Sequence, residues 1–155
     1  MSGKGVTSRP ARVVAVCTST KKGMPKENVH RALLLSEWGV EGDAHAGPWH
    51  RQVSLLAIES IEKMRQRGLE LNPGDFAENI TTEGIDLARL PVGTRLRAGR
   101  EAILEVTQIG KKCHTGCAIF QKVGQCIMPV EGIFARVVRG GLVQEGDPIT
   151  VLVRS

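Results

Sequence analysis

TRLRAGREAILEVTQ, residues 94–108, decides the fold class. Two short runs, Thr94–Ala98 and Ala102–Gln108, flank Gly99–Arg100, and that dipeptide reads as a hairpin turn. Outward from this hairpin the chain keeps to short strands and turns. Arg12–Thr18 (RVVAVCT) is rich in β-branched residues and reads as a buried strand. Ala32–Leu35 (ALLL) is a second strand, and Ile149–Val153 is the last. Val53–Leu56 begins as a strand or leads straight into a helix. The 18 glycines and 7 prolines favour short elements over a long helical bundle.

The clearest helix is Ile58–Arg67 (IESIEKMRQR). Ile58, Ile61 and Met64 recur at three-residue spacing, charges fill the other face, and Gly68 supplies the stop. A second, short helix is expected over Glu131–Arg139 (EGIFARVVR). Ile133, Phe134, Val137 and Val138 stand there at helical spacing, with Gly140–Gly141 behind them. Gly39–Pro48 (GVEGDAHAGP) reads as a loop without regular structure that carries Glu41, Asp43 and His45. Residues 71–84 (LNPGDFAENITTEG) form another glycine- and proline-marked loop, with Ile80 in a short strand. The expectation is a mostly β, barrel-like domain over residues 11–155, with one clear helix and one or two short ones. Residues 1–10 read as a loose tail.

A chain of 155 residues, 41% hydrophobic and 24% charged, suits one ordinary domain with a real core. No apolar run approaches the roughly 18 residues that span a bilayer. Val13–Cys17 is too short for a signal-peptide core, so a reducing cytoplasmic setting is expected. The net charge of +5 suits an anionic ligand. Nucleic acid fits poorly: there is no Tyr, only 3 Phe and 2 Trp for stacking, and no basic helix or zinc-finger spacing.

Chemistry concentrates in Gly110–Cys126 (GKKCHTGCAIFQKVGQC), which holds three of the four cysteines. Lys111 and Lys112 precede Cys113, and nearby positive charge favours the reactive thiolate. A thiolate there suits a soft metal, a persulfide or a nucleophilic role. Zinc is the competing reading, from Cys113, His114, Cys117 and Cys126. Their spacing fits a tetrahedral site badly. Cys17, inside an apolar strand, reads as a small packed hydrophobe. A cysteine hydrolase would need His45 or His50 to approach Cys113 from the loop, since His114 is its neighbour in sequence. His45, His50 and Arg51 in GDAHAGPWHRQ (42–52) can donate hydrogen bonds to an anion, with a solvated loop as the alternative. In DFAEN (75–79), Glu78 and Asn79 either orient a polar ligand or satisfy a turn.

Four segments together resemble the MOSC domain, named for the C-terminal domain of molybdenum cofactor sulfurase, in its small stand-alone bacterial form. They are GVEGDAHAGPWHRQVSLLAIESI (39–61), PGDFAENI (73–80), LPVGTRLRAGREAILEVTQIGKKCH (90–114) and EGIFARVVRGGLVQEGDPI (131–149). The resemblance implies a mostly β, barrel-like fold over roughly residues 10–153. It implies that Cys113 is the metal ligand and reactive residue. It places pterin cofactor contacts at His50, Arg51, Gln52, Asn79 and Lys111, beside His45 from the loop reading. The implied activities are a molybdenum cofactor carrier or small reductase component, or a sulfur carrier with a Cys113 persulfide. Apart from the resemblance, the cysteine and histidine residues leave a non-catalytic binding module with structural zinc as a third reading. Partners would be the anionic pterin cofactor or a sulfur donor or acceptor protein, with no membrane and no nucleic acid. The extra N-terminal domain of the family's reductases and the pyridoxal phosphate domain of its sulfurases have no counterpart here, and Ala77 replaces the reductases' basic residue.

Overall fold

The computed structural model describes residues 11–68, 70–110 and 131–152. The chain begins with β1 (Arg12–Thr18), β2 (Glu27–Asn28), β3 (Arg31–Leu35) and β4 (Gly39–Val40). β5 (Val53–Ala57) runs directly into α1 (Ile58–Arg65), and β6 (Ile80–Glu83) and a 3₁₀ turn (Leu87–Arg89) follow. The second half contributes β7 (Arg95–Ala98), β8 (Ala102–Ile109), β9 (Ile133–Arg139), β10 (Gly141–Gln144) and β11 (Ile149–Val151).

Eight strands form one sheet in the order β11-β7-β8-β9-β5-β6-β1-β2, and β10-β3-β4 form a second. The fold is mostly β, as expected. Among the described residues the larger sheet runs between two edge strands and does not close, so it is barrel-like only loosely. β5 and β6 pair in parallel, with Leu55 opposite Ile80, and α1 begins the connection between them. A parallel pair needs such a crossover, whereas the β7–β8 hairpin needs only its glycine turn. That hairpin places Ala98 opposite Ala102, as the sequence predicts.

The helix expected over Glu131–Arg139 is instead the central strand β9, held between β5 and β8. Ile133, Ala135 and Val137 enter the main core, while Phe134 enters a second cluster with Leu56, Ile61, Met64, Leu71, Phe76 and Ala77. A strand covered on both faces loses the alternation that marks a half-buried one. Its dense apolar run then imitates helical spacing. The helix at Ile58 ends at Arg65, two residues earlier than expected, and Gly68 reverses the chain with φ +88°. The loop expected over Gly39–Pro48 begins as strand β4. No helix among the described residues is long and apolar enough to cross a membrane.

Candidate functional site

The segment between β4 and β5 is rooted inward by Asp43, whose side chain is fully buried. Its Oδ1 accepts from Lys26 Nζ at 2.8 Å and from the Ser19 amide at 3.0 Å, and Oδ2 accepts from the His45 amide at 3.0 Å. Burial alone would raise this carboxyl. The Lys26 ammonium and the two amides instead bring it below the ordinary carboxylate range. Burial pushes Lys26 below the usual lysine range, opposed by the hydrogen bond and charge of Asp43. Lys26 Nζ also reaches Ser19 Oγ and His45 Nδ1, each at 3.0 Å. Trp49 donates its indole N–H to the His45 carbonyl at 2.8 Å. The Trp49 ring lies parallel to His45 at 6.4 Å, and Lys22 Nζ sits 4.6 Å from its centroid.

The far end of the segment faces outward onto the end of β8. His50 Nε2 lies 2.8 Å from Gln108 Oε1, and Arg51 Nε donates to the same oxygen at 3.1 Å. Gln108 Nε2 donates to the Gly110 carbonyl at 2.7 Å, which fixes the amide with its oxygen toward the two basic side chains. The Thr107 hydroxyl donates to the His50 carbonyl. The Arg51 guanidinium lies 5.2 Å from the Phe134 ring centroid. An open cavity of about 400 Å³ is lined by Glu37, Pro48, Trp49, His50, Gln52 and Arg136. Arg136 is already paired with Glu37 and Glu105.

The other expected contacts point inward. Gln52 is buried, and its Oε1 accepts the Val137 amide at 2.9 Å, tying the start of β5 to β9. Asn79 is fully buried. Its Oδ1 accepts from the Ser54 amide at 3.0 Å and the Ser54 hydroxyl at 3.2 Å, and its Nδ2 donates to the Cys17 carbonyl at 3.1 Å. Asn79 therefore stitches β1, β5 and β6 together. Beside it, the buried Glu78 carboxylate accepts from the Gly74 amide, the Phe76 amide and the Thr81 hydroxyl. Burial pushes the Glu78 carboxyl above its ordinary range, with those donors pulling it back. Burial, and then the Glu78 charge, push the Cys17 thiol up, as suits a packed and unreactive residue.

Cys113 and Lys111 lie outside the described residues, as do His114, Cys117 and Cys126. Of the other expected site residues, the structure brings His50 and Arg51 together. His45 joins them through Trp49, whose ring meets His50 edge-on at 5.9 Å. Three residues escaped the sequence reading. Gln108 carried a weak signal, a polar residue closing an apolar strand. Trp49 carried one too, as an aromatic ring in a glycine-rich loop. Lys26 carried none, because a lysine in a charged turn reads as solvated. Ser19, Thr20 and Lys21 also line a cavity of about 310 Å³ in the loop after β1. Among the described residues, no three His, Cys, Asp or Glu side chains converge to hold a metal ion.

The MOSC domain profile matches residues 42–150. The fold is similar to that of the YuaD protein from Bacillus subtilis, with TM-score 0.75 and 20% identity over 91% of this chain and 94% of that one. It is also similar to YiiM from Geobacillus stearothermophilus, with TM-score 0.72 and 20% identity over 94% and 76% of the two chains. YiiM from Escherichia coli aligns with TM-score 0.62 and 21% identity, over 94% and 70%. No curated protein sequence matches the chain.

Proposed function

We propose, for a chain that belongs to the MOSC domain family, that it binds a molybdenum-bearing pterin cofactor as a carrier or small reductase component. Cys113 is the thiolate ligand of the metal, and Lys111 beside it favours the thiolate. His50 and Arg51 hold the anionic phosphate end through charge-assisted hydrogen bonds. The observation that carries this reading is the Gln108 bridge. One amide oxygen gathers two basic side chains at the end of the strand that leads into Lys111 and Cys113. The donors fit such a group: an imidazole and a guanidinium beside an open cavity, and the Lys22 ammonium over the adjoining indole. When bound, the metal centre supplies oxygen-atom and electron-transfer chemistry. This chain's own residues bind and orient the cofactor. Gln52 and Asn79 serve by holding β5, where the loop ends. A reduced thiolate suits a cytoplasmic setting.

Elemental analysis of protein from molybdate-supplemented cells tests the reading. Molybdenum is expected in the wild type and absent from Cys113→Ala. A metal-free wild type with one added sulfur on Cys113 would replace this reading with sulfur carriage. Zinc in both proteins would indicate a structural site.

A further inference from the structure

The large sheet turns one face to the main core, and α1 packs on the opposite face at β5 and β6. That opposite face is open over β7, β8 and β9, where Arg95, Arg97 and Arg139 are exposed. Two cross-strand rows stand there. In the first, Arg95 is opposite Glu105, which is opposite Arg136. In the second, Arg97 is opposite Ile103, which is opposite Arg139. The first row is largely satisfied within itself. Glu105 accepts from Arg95 Nε at 3.1 Å and from Arg136 Nε at 3.2 Å, and Arg136 also pairs with Glu37. The second row holds two guanidiniums and no carboxylate. Arg97 has no ion pair among the described residues. Arg139 pairs only loosely, with Glu101 at 3.7 Å. Ile103 is half-buried between the two arginines. Neighbouring strands lie about 4.8 Å apart, so Arg97 and Arg139 stand about 10 Å apart across an apolar centre.

We propose that this face docks an acidic amphipathic helix of a partner protein, with carboxylates at positions i and i+7 on Arg97 and Arg139 and an apolar residue at i+3 or i+4 on Ile103. Seven residues of helix rise about 10.5 Å, which matches the separation of the two arginines. A guanidinium takes a carboxylate through two parallel N–H donors, a geometry that lysine lacks. Arg95 gives Glu105 its Nε–H and keeps its terminal nitrogens for a further acidic group on the partner. A nucleic acid suits the face less well. Arg95–Ala98, Ala102–Ile109 and residues 135–139 hold no aromatic residue on which a base could stack, and Glu105 would face the phosphates. The docking face stands whether or not Cys113 holds a metal.

Fluorescence anisotropy of the intact chain with a labelled helical peptide tests this. The probe carries Glu at i and i+7 and Leu at i+3 and i+4, and a peptide of the same composition in scrambled order is its control. The ordered peptide is expected to bind, and to bind less tightly as salt rises. The double variant Arg97→Glu, Arg139→Glu should weaken binding at least about tenfold. Arg31→Glu, Arg67→Glu makes the same change of net charge at exposed positions on other elements and should leave binding nearly unchanged. Amide shifts of the wild-type chain on adding the peptide locate the contact even where the double variant fails to fold, and they are expected in β7, β8 and β9. Equal binding of the two peptides, equal loss from the two double variants, or shifts confined to other elements overturn the proposal. A short DNA duplex that binds at these residues more tightly than the peptide also overturns it, and gives the face to nucleic acid.

Discussion

The segment between β4 and β5 and the segment that opens β6 are alike on paper: both are glycine-marked, polar and carry the residues singled out for ligand contact. Their fates differ. In residues 74–79 the polar side chains Asp75, Glu78 and Asn79 turn inward, and Asn79 and Glu78 bond to protein donors and acceptors. In residues 41–52 Asp43 and Gln52 turn to the interior and root the segment, while His50 stays exposed and Arg51 half-buried beside it. The difference follows from what each segment faces. Residues 77–79 lie between β1 and β5, so every buried polar group must find a partner there. Residues 48–51 cross the outer end of β8, where a single amide collects them. One segment builds the framework and the other presents chemistry.

Cutting the root of the outer segment should have the largest effect on stability. Asp43→Ala leaves the Lys26 ammonium buried without its carboxylate, and breaking a buried pair this way costs about 3–5 kcal/mol. Urea denaturation reads that loss. The same carboxylate shapes the acid limb. Its folded pKa lies below the unfolded value, so its stabilisation is present above about pH 3.9 and is lost as the pH falls through the lower folded value. Asp43→Asn should therefore flatten the decline of the unfolding midpoint in acid. A decline as steep as the wild type's would place the acid-sensitive group elsewhere.

Next in size is the framework segment. Asn79→Ala strands the Ser54 amide and the Cys17 carbonyl, at about 3 kcal/mol for buried groups left unsatisfied. Phosphate affinity per folded molecule should stay unchanged. The double variant His50→Ala, Arg51→Ala should do the reverse. It should lower stability by about 1 kcal/mol at most, since His50 is exposed and the half-buried Arg51 gives up its place over the Phe134 ring. It should weaken phosphate binding at least tenfold, since a hydrogen bond to a charged group contributes about 1.5–3 kcal/mol. Calorimetric titration separates the two outcomes. The smallest effect is expected at Ala77, which holds φ +66° inside the framework segment. Ala77→Gly relieves a left-handed conformation that costs non-glycine residues about 1 kcal/mol but removes a buried methyl that contributes about 0.8 kcal/mol, so the melting temperature should barely move.

Much of the fold was legible because its strands carry local signals. The Gly99–Arg100 turn marks the β7–β8 hairpin, and Arg12–Thr18 announces β1 by its β-branched residues. β9 was misread because a strand between two others is apolar on both faces, and Ile133–Val137 lost its period of two. The site was legible by residue type but not by orientation. Asn79 and Arg51 were equally plausible ligand contacts until the pairing of β5 with β6 and β9 sent one inward and the other outward. Lys26 was invisible because its partner, Asp43, lies 17 residues away and meets it only after β2, β3 and β4 have formed. Gln108 acquires its role only once residues 48–51 cross β8.

The most direct test of the division between framework and site is a paired measurement on the same preparations of Asn79→Ala and of His50→Ala, Arg51→Ala. Each is expressed with molybdate and assayed for unfolding midpoint and for bound pterin per folded chain. A clearly lowered midpoint with pterin retained is expected for Asn79→Ala, and a midpoint near that of the wild type with pterin lost for the double variant. Pterin retained by the double variant and lost from folded Asn79→Ala would contradict it.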